Sequence, residues 1–226
     1  MKLAADNIYK NIAISVSLVG LLVYFGVFNR YHLIYLEQIQ LFRYSADYLT
    51  GFFQEPGGLI CLLGSFFTQF FRIPWLGAIL LTLSGFLVYQ QTRAIFMKQG
   101  LKGVLFPLLP LALLAALHSN HNFPLAFTLG YLLSLVCFNL YISISKNRLR
   151  FLAGLALYAF MYYGAGVFSF LTIFLFILYE ILHIKGTQRY FFILTLGILS
   201  FLVPYLSWKY GYLIPLKEAW LLPVSF

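Results

Sequence analysis

Five stretches without a single Asp, Glu, Lys or Arg run through this chain: residues 11–29, 73–92, 103–145, 151–179 and 190–208. They are 19, 20, 43, 29 and 19 residues long. A helix needs roughly 20 apolar residues to cross the hydrocarbon core of a bilayer. Each stretch therefore offers at least one crossing, and the longest offers two. Composition removes the soluble alternative. Of 226 residues, 62% are apolar and 9% are charged, against about 45–50% and 25% in soluble domains. A soluble fold of this size has no way to hide so much apolar surface. No ten-residue segment alternates with period two, which excludes a β-barrel. Helices then remain as the way to satisfy the backbone in lipid. The expected fold class is all-α, a polytopic transmembrane helix bundle forming one domain over residues 1–226.

Polar breaks divide the longer stretches. His118-Ser119-Asn120-His121-Asn122-Phe123-Pro124 makes a loop, because consecutive strongly polar residues and a proline end a span. Pro107 and Pro110 lie in the short helix before it and should kink it or sit near its start. Within 151–179, Tyr162-Tyr163-Gly164-Ala165-Gly166 leaves two readings: one long tilted helix, or a hairpin with its tip at Gly164 and Gly166. Lys146, Arg148 and Arg150 precede the stretch, and Lys185 and Arg189 follow it. Both clusters prefer the cytoplasm, which favours the hairpin. About seven passes result, with the N-terminus inside. The net charge of +9 then divides as +8 inside and +1 outside. In that setting a basic balance orients the chain in the bilayer. No basic face or recognition motif points to nucleic acid. The apolar run before Arg30 lacks a small-residue cleavage site and reads as an uncleaved first span. Cys61 and Cys137 lie in apolar runs without CxxC spacing and read as small buried hydrophobes. Tyrosines and phenylalanines at helix ends read as interfacial belts.

The first outside loop, residues 31–72, carries three of the six acidic residues. Residues 36–53 read as one amphipathic helix at the interface. On it Glu37, Gln40, Tyr44 and Asp47 share a face, with Glu37 and Asp47 about 15 Å apart on a straight helix. Pro56-Gly57-Gly58 is a turn signal. Residues 59–71 are too few to cross, so they read as a re-entrant or interfacial helix closed by Arg72 and Pro74. In the second outside loop His118 and His121 are spaced i, i+3, which could hold a metal or a lipid phosphate; a metal needs three or four ligands and no third is near, and the plainer reading is two solvated loop histidines. Glu180, beside Lys185, reads as snorkelling to the inner interface. There is no GxSxG, P-loop, HExxH or GxGxxG motif.

Three stretches resemble the C-type glycosyltransferase superfamily, whose members take sugars from polyprenyl-phosphate donors. These are a first span followed at once by a long outside loop holding Glu37 and Asp47; the run from Arg150 to Leu157 closing with Tyr163-Gly164-Ala165-Gly166; and Phe201-Leu202-Val203-Pro204-Tyr205-Leu206. A narrower resemblance, to an uncharacterised family of bacterial polytopic proteins, rests on Glu37-Gln38, Leu41-Phe42, Asp47-Tyr48, Pro56-Gly57-Gly58-Leu59 and Gln69-Phe70. The superfamily usually places an Asp soon after the first span. Here the early acid is Glu37, and Asp47 comes ten residues later. Members of both groups are longer, so the expectation is that these 226 residues are the N-terminal part of a longer protein.

The resemblance implies an integral protein of the bacterial inner membrane that transfers a sugar from a lipid-linked donor on the extracytoplasmic side. Glu37 and Asp47 would be the catalytic carboxylates, as general base or as contacts to a divalent metal. Arg30, Arg43, Arg72, His118 and His121 would bind phosphate, and the partners would be membrane lipids and a polyprenyl-phosphate sugar. The competing classes are a non-catalytic membrane subunit or scaffold of envelope biogenesis, and a transporter.

Overall fold

The computed structural model describes residues 2–101, 103, 105–120, 122–183, 186–207 and 209. Among the described residues the regular structure is wholly helical, with ten α-helices. In chain order they are α1 (Lys2–Val23), α2 (Arg30–Ile39), α3 (Ala46–Gly51), α4 (Gly58–Thr68), α5 (Pro74–Lys98), α6 (Leu108–Leu117), α7 (Leu125–Ser143), α8 (Asn147–Ala165), α9 (Phe168–His183) and α10 (Thr187–Leu206). The chain divides into two compact units, Met1–Phe42 with Gly64–Leu132 and Arg43–Leu63 with Leu133–Phe226. Of the three boundaries, 63/64 falls inside α4, 132/133 inside α7, and 42/43 in the irregular segment between α2 and α3.

In the first unit, α1 ends in a five-residue π-helical turn, Tyr24–Phe28. Asn29 follows, and α2 leaves at 71° to the helix before it. His32, Leu33 and Leu36 form the buried face of α2, and a short 3₁₀ turn, Gln69–Arg72, leads into α5 with Pro74 in its first turn. Leu33 and Leu36 join Phe25, Phe71, Ala78, Leu81 and Leu125 in one core. That core fixes α2 as a short helix packed on α5. Pro107 caps α6 and Pro110 lies in its first turn, where a missing N–H does no harm. The 118–124 break separates α6 from α7 as the polar residues there require.

In the second unit, α8 and α9 form an antiparallel hairpin with α10 packed on both. The turn falls at Gly166, whose φ of 56° is a left-handed conformation that favours glycine. Gly164 stays within α8. The Pro56-Gly57-Gly58 turn docks on this hairpin tip. The Gly57 N–H donates to the Tyr163 carbonyl at 3.0 Å, with Gly57 at φ 84°. A methyl at Gly57 would stand 3.0 Å from the Gly166 nitrogen. Tyr141 stacks on Phe176 with ring centres 4.0 Å apart. Tyr141, Tyr158 and Tyr162 are almost wholly buried, as is Tyr89 of the first unit, so these rings are core side chains and not interfacial belts. Cys61 and Cys137 are buried free thiols.

Two expectations need correction. Residues 36–53 are not one helix. The α2 helix stops at Ile39, residues 40–45 are irregular, and α3 starts afresh behind Ser45. The Ser45 hydroxyl accepts the Tyr48 N–H at 3.4 Å, an N-cap that begins a new helix at the position a continuous one would have to pass. The second correction is the number of spans. By length and composition two helices among the described residues qualify, Leu125–Ser143 and Arg189–Leu206, or three if the bent pair Ile12–Phe28 and Arg30–Ile39 counts as one. That is fewer than about seven. An uncharged stretch is not an uninterrupted helix: α6 has 10 residues and α9 has 16, about 15 and 24 Å at 1.5 Å per residue. The α5 helix is long enough, but its C-terminal part holds Gln90-Gln91-Thr92-Arg93 and Lys98, and α8 carries two arginines in its first turn.

Candidate functional site

The outside-segment candidates stand on several different elements. Arg30 opens α2 and is exposed, its guanidinium 5.9 Å from the Tyr31 ring centre. Glu37 lies half-buried in the last turn of α2, next to the buried Leu36. Arg72 is exposed at the end of the 3₁₀ turn. These three belong to the first unit. Arg43 is exposed in the irregular 40–45 segment, and Asp47 is exposed in the first turn of α3, both in the second unit. Among the described residues no hydrogen bond or ion pair joins any two of these candidates, and no three His, Cys, Asp or Glu side chains gather into a metal-binding group.

His118 differs most from its expected place. It is 3% exposed, sharing a 2.7 Å hydrogen bond between Nε2 and Thr128 Oγ1. The Phe25 and Phe123 rings meet it edge-on. Burial first, and then the nearby His32, push its pKa down to about 4, because an apolar surround disfavours the imidazolium. At neutral pH it is an uncharged, packed side chain and offers no cationic attraction to a phosphate. His121 lies outside the described residues.

The densest polar cluster lies elsewhere, at the end of the α8–α9 hairpin away from Gly166. Arg150, in the first turn of α8, is 4% exposed, and Glu180, in the last turn of α9, is 2% exposed. Arg150 Nε donates to Glu180 Oε1 at 2.9 Å, and the Tyr141 hydroxyl donates to the same oxygen at 2.8 Å. Arg150 Nη2 donates to Asn147 Oδ1 at 3.0 Å, and its guanidinium lies 5.7 Å from the Tyr179 ring centre. Glu180 does not snorkel; it is held inside the bundle. The hairpin carried a usable signal. Arg150 lies 16 residues before Gly166 and Glu180 lies 14 after it, so antiparallel pairing about that turn sets the two side by side. Next to the pair a cavity of about 360 Å³ is lined by Asn147, Arg148, Arg150, Glu180 and Arg189 with Phe151, Leu152, Phe191 and Phe192.

These features define an all-helical protein with helices long and apolar enough to cross a membrane, and with a satisfied ion pair inside one helical unit. The chain belongs to a family of unknown function, DUF6057, whose profile matches residues 7–225. Neither a curated protein nor a solved structure matches it.

Proposed function

We propose that the chain is an integral protein of a bacterial inner membrane, with a cytoplasmic N-terminus, that transfers a sugar from a polyprenyl-phosphate donor on the extracytoplasmic side. The observation that carries this reading is the segment after the first apolar helix. It folds into short helices, α2, α3 and α4, too short to cross, and α2 holds Glu37 half-buried on a helix anchored by Leu33 and Leu36. The +8 against +1 division of charge supports a path in which the arginines at the start of α8 and of α10 lie on the cytoplasmic side.

In this reading Glu37 takes the proton of the acceptor hydroxyl as its oxygen bonds to the sugar's anomeric carbon. The bond from that carbon to the donor's phosphate oxygen breaks, and the polyprenyl phosphate leaves with the electron pair. A positioned base contributes roughly 10²–10⁴-fold. Arg30 and Arg72 supply positive charge in the same unit for the departing phosphate. A second reading, a non-catalytic subunit or scaffold, draws on the early acid being Glu37, followed by Gln38, where the resembled superfamily usually places an Asp.

The test uses the full-length gene product reconstituted with radiolabelled polyprenyl-phosphate sugars and membrane acceptors. Glu37→Gln lowers transfer at least ~100-fold at unchanged abundance, and Asp47→Asn lowers it less. Full activity in Glu37→Gln removes Glu37 from the mechanism. No transfer by the wild type with any polyprenyl donor leaves the scaffold reading.

A further inference from the structure

The first unit holds a small cavity lined from α1, the π-helical turn, α5, α6 and α7. Most of its wall is apolar, with Leu21, Phe25, Leu81, Leu111 and Leu114. Three polar side chains line it as well: Ser84, His118 and Thr128. They are 6%, 3% and 1% exposed, so each must find its hydrogen bonds inside the protein. A purely apolar cavity stays dry, whereas a cavity with two or more polar partners holds a water if it offers roughly 10–15 Å³. This one measures about 10 Å³. That is room for one water and for no organic ligand.

The position of one proton points the same way. The His118 ring is uncharged at neutral pH, so one nitrogen carries a proton and the other does not. Nε2 bonds Thr128 Oγ1 at 2.7 Å. Nδ1 is buried with no partner among the described residues. Orphaned buried N–H groups are rarer in proteins than under-used acceptors, so the proton belongs on Nε2 and Nδ1 is the bare nitrogen. Nε2–H then donates to Thr128 Oγ1, and the Thr128 hydroxyl proton needs an acceptor of its own. Among the described residues Thr128 Oγ1 bonds only His118. Ser84 Oγ already donates its proton to the Leu81 carbonyl at 2.8 Å and can only accept. A water between the two hydroxyls takes the Thr128 proton and gives one to Ser84.

We propose that the cavity binds one water, which accepts from Thr128 Oγ1, donates to Ser84 Oγ and thereby holds His118 with its proton on Nε2. The result is a chain of hydrogen bonds running one way: Nε2–H to Thr128, Thr128 to the water, the water to Ser84, Ser84 to the Leu81 carbonyl. It joins the turn after α6 and the start of α7 to the middle of α5. Two bonds place this water at the lower end of the two to four that buried waters make. The inference rests on neither glycosyl transfer nor the direction of the chain through the membrane.

The test is solid-state nuclear magnetic resonance of the full chain in phospholipid bilayers at neutral pH, isotope-labelled at histidine and threonine. His118→Gln and Thr128→Val assign the two resonances. In the wild type the His118 proton sits on Nε2, and magnetisation passes from water protons to the Thr128 side chain. Thr172 receives none, since it is equally buried but donates to the Phe168 carbonyl. Ser84→Val fills the cavity with methyl groups and expels the water. Transfer to Thr128 is lost, its hydroxyl has only Nε2 to donate to, and the His118 proton moves to Nδ1. Ser84→Ala removes the acceptor without adding bulk and shifts the tautomer the same way, which keeps the test open if the valine variant does not fold. A wild type protonated on Nδ1 overturns the proposal. So does water transfer to Thr128 no stronger than to Thr172, or a tautomer unchanged by either Ser84 variant. No sugar donor is present and no transfer of sugar is measured, so failure of the glycosyltransferase reading leaves this result untouched.

Discussion

Replacing Glu180 by Gln tests whether the Arg150–Glu180 pair holds the α8–α9 hairpin together. The amide keeps the shape of the side chain and its acceptor for the Tyr141 hydroxyl, but it leaves the Arg150 guanidinium, 4% exposed, without its anion. Exposed ion pairs are worth about 0–1 kcal/mol. This one has side chains 5% and 2% exposed, so solvent screening is weak, and breaking such a pair by removing one partner typically costs about 3–5 kcal/mol. For a chain of this size that corresponds to roughly 6–20 °C in thermal midpoint. The assay is thermal unfolding of the detergent-solubilised full chain, followed by near-UV circular dichroism or by loss of monodisperse protein on gel filtration. Arg150→Met combined with Glu180→Leu removes both charges and recovers most of the loss, because the expense lies in the unpaired charge and not in the missing bond. A midpoint for Glu180→Gln within 2 °C of wild type would refute the reasoning. So would a double variant no better than the worse single one.

Two further outcomes follow from the same structure. Gly57→Ala places a methyl 3.0 Å from the Gly166 nitrogen at φ 84°. It should lower stability by more than the ~1–2 kcal/mol of a left-handed alanine alone, whereas Gly100→Ala, at φ 78° with open space around it, loses only that; thermal midpoints of the two variants compare them. His118 is neutral in the folded chain down to about pH 4, while in the unfolded chain it titrates near 6.5. The unfolded state therefore binds more protons between those values, so stability is complete above pH 6.5 and falls as pH drops toward 4. The loss is about 3 kcal/mol, and His118→Gln should flatten this part of the stability–pH curve measured by chemical denaturation.

Much of the helix plan was legible because it rests on local chemistry. The polar run from His118, the prolines ahead of α6, the Pro56-Gly57-Gly58 turn and the glycines near 166 each break a helix for reasons that lie within a few residues, and the structure breaks there. The single helix over 36–53 was misread because periodicity counts faces and not caps: Ser45 satisfies a new helix start in the middle of an unbroken pattern. The span count failed for a related reason. Absence of charge marks where a helix can enter lipid, but glutamines, tyrosines and turns set how long the apolar part is. His118 looked solvated because its neighbours in sequence are polar, whereas its neighbours in space are Phe25 and Phe123. The Arg150–Glu180 pair was hidden because a charge at a helix end reads as interfacial until the hairpin places another opposite it. Nothing in the residues around Glu37 or Asp47 announces a partner, and each stands on its own element.

The account depends most on the path of the chain through the membrane, and above all on the α8–α9 hairpin. Single cysteines introduced at Gly100, Asn147, Tyr163 and Gly186 in an otherwise cysteine-free chain, labelled in intact cells with a membrane-impermeant maleimide, read that path directly. Tyr163, 52% exposed beside the hairpin tip, alone should label without permeabilisation, and Gly100, Asn147 and Gly186 should label only after it. Labelling of the Asn147 and Gly186 positions from outside, with Tyr163 protected, would contradict the cytoplasmic placement of the arginine clusters and the topology built on it.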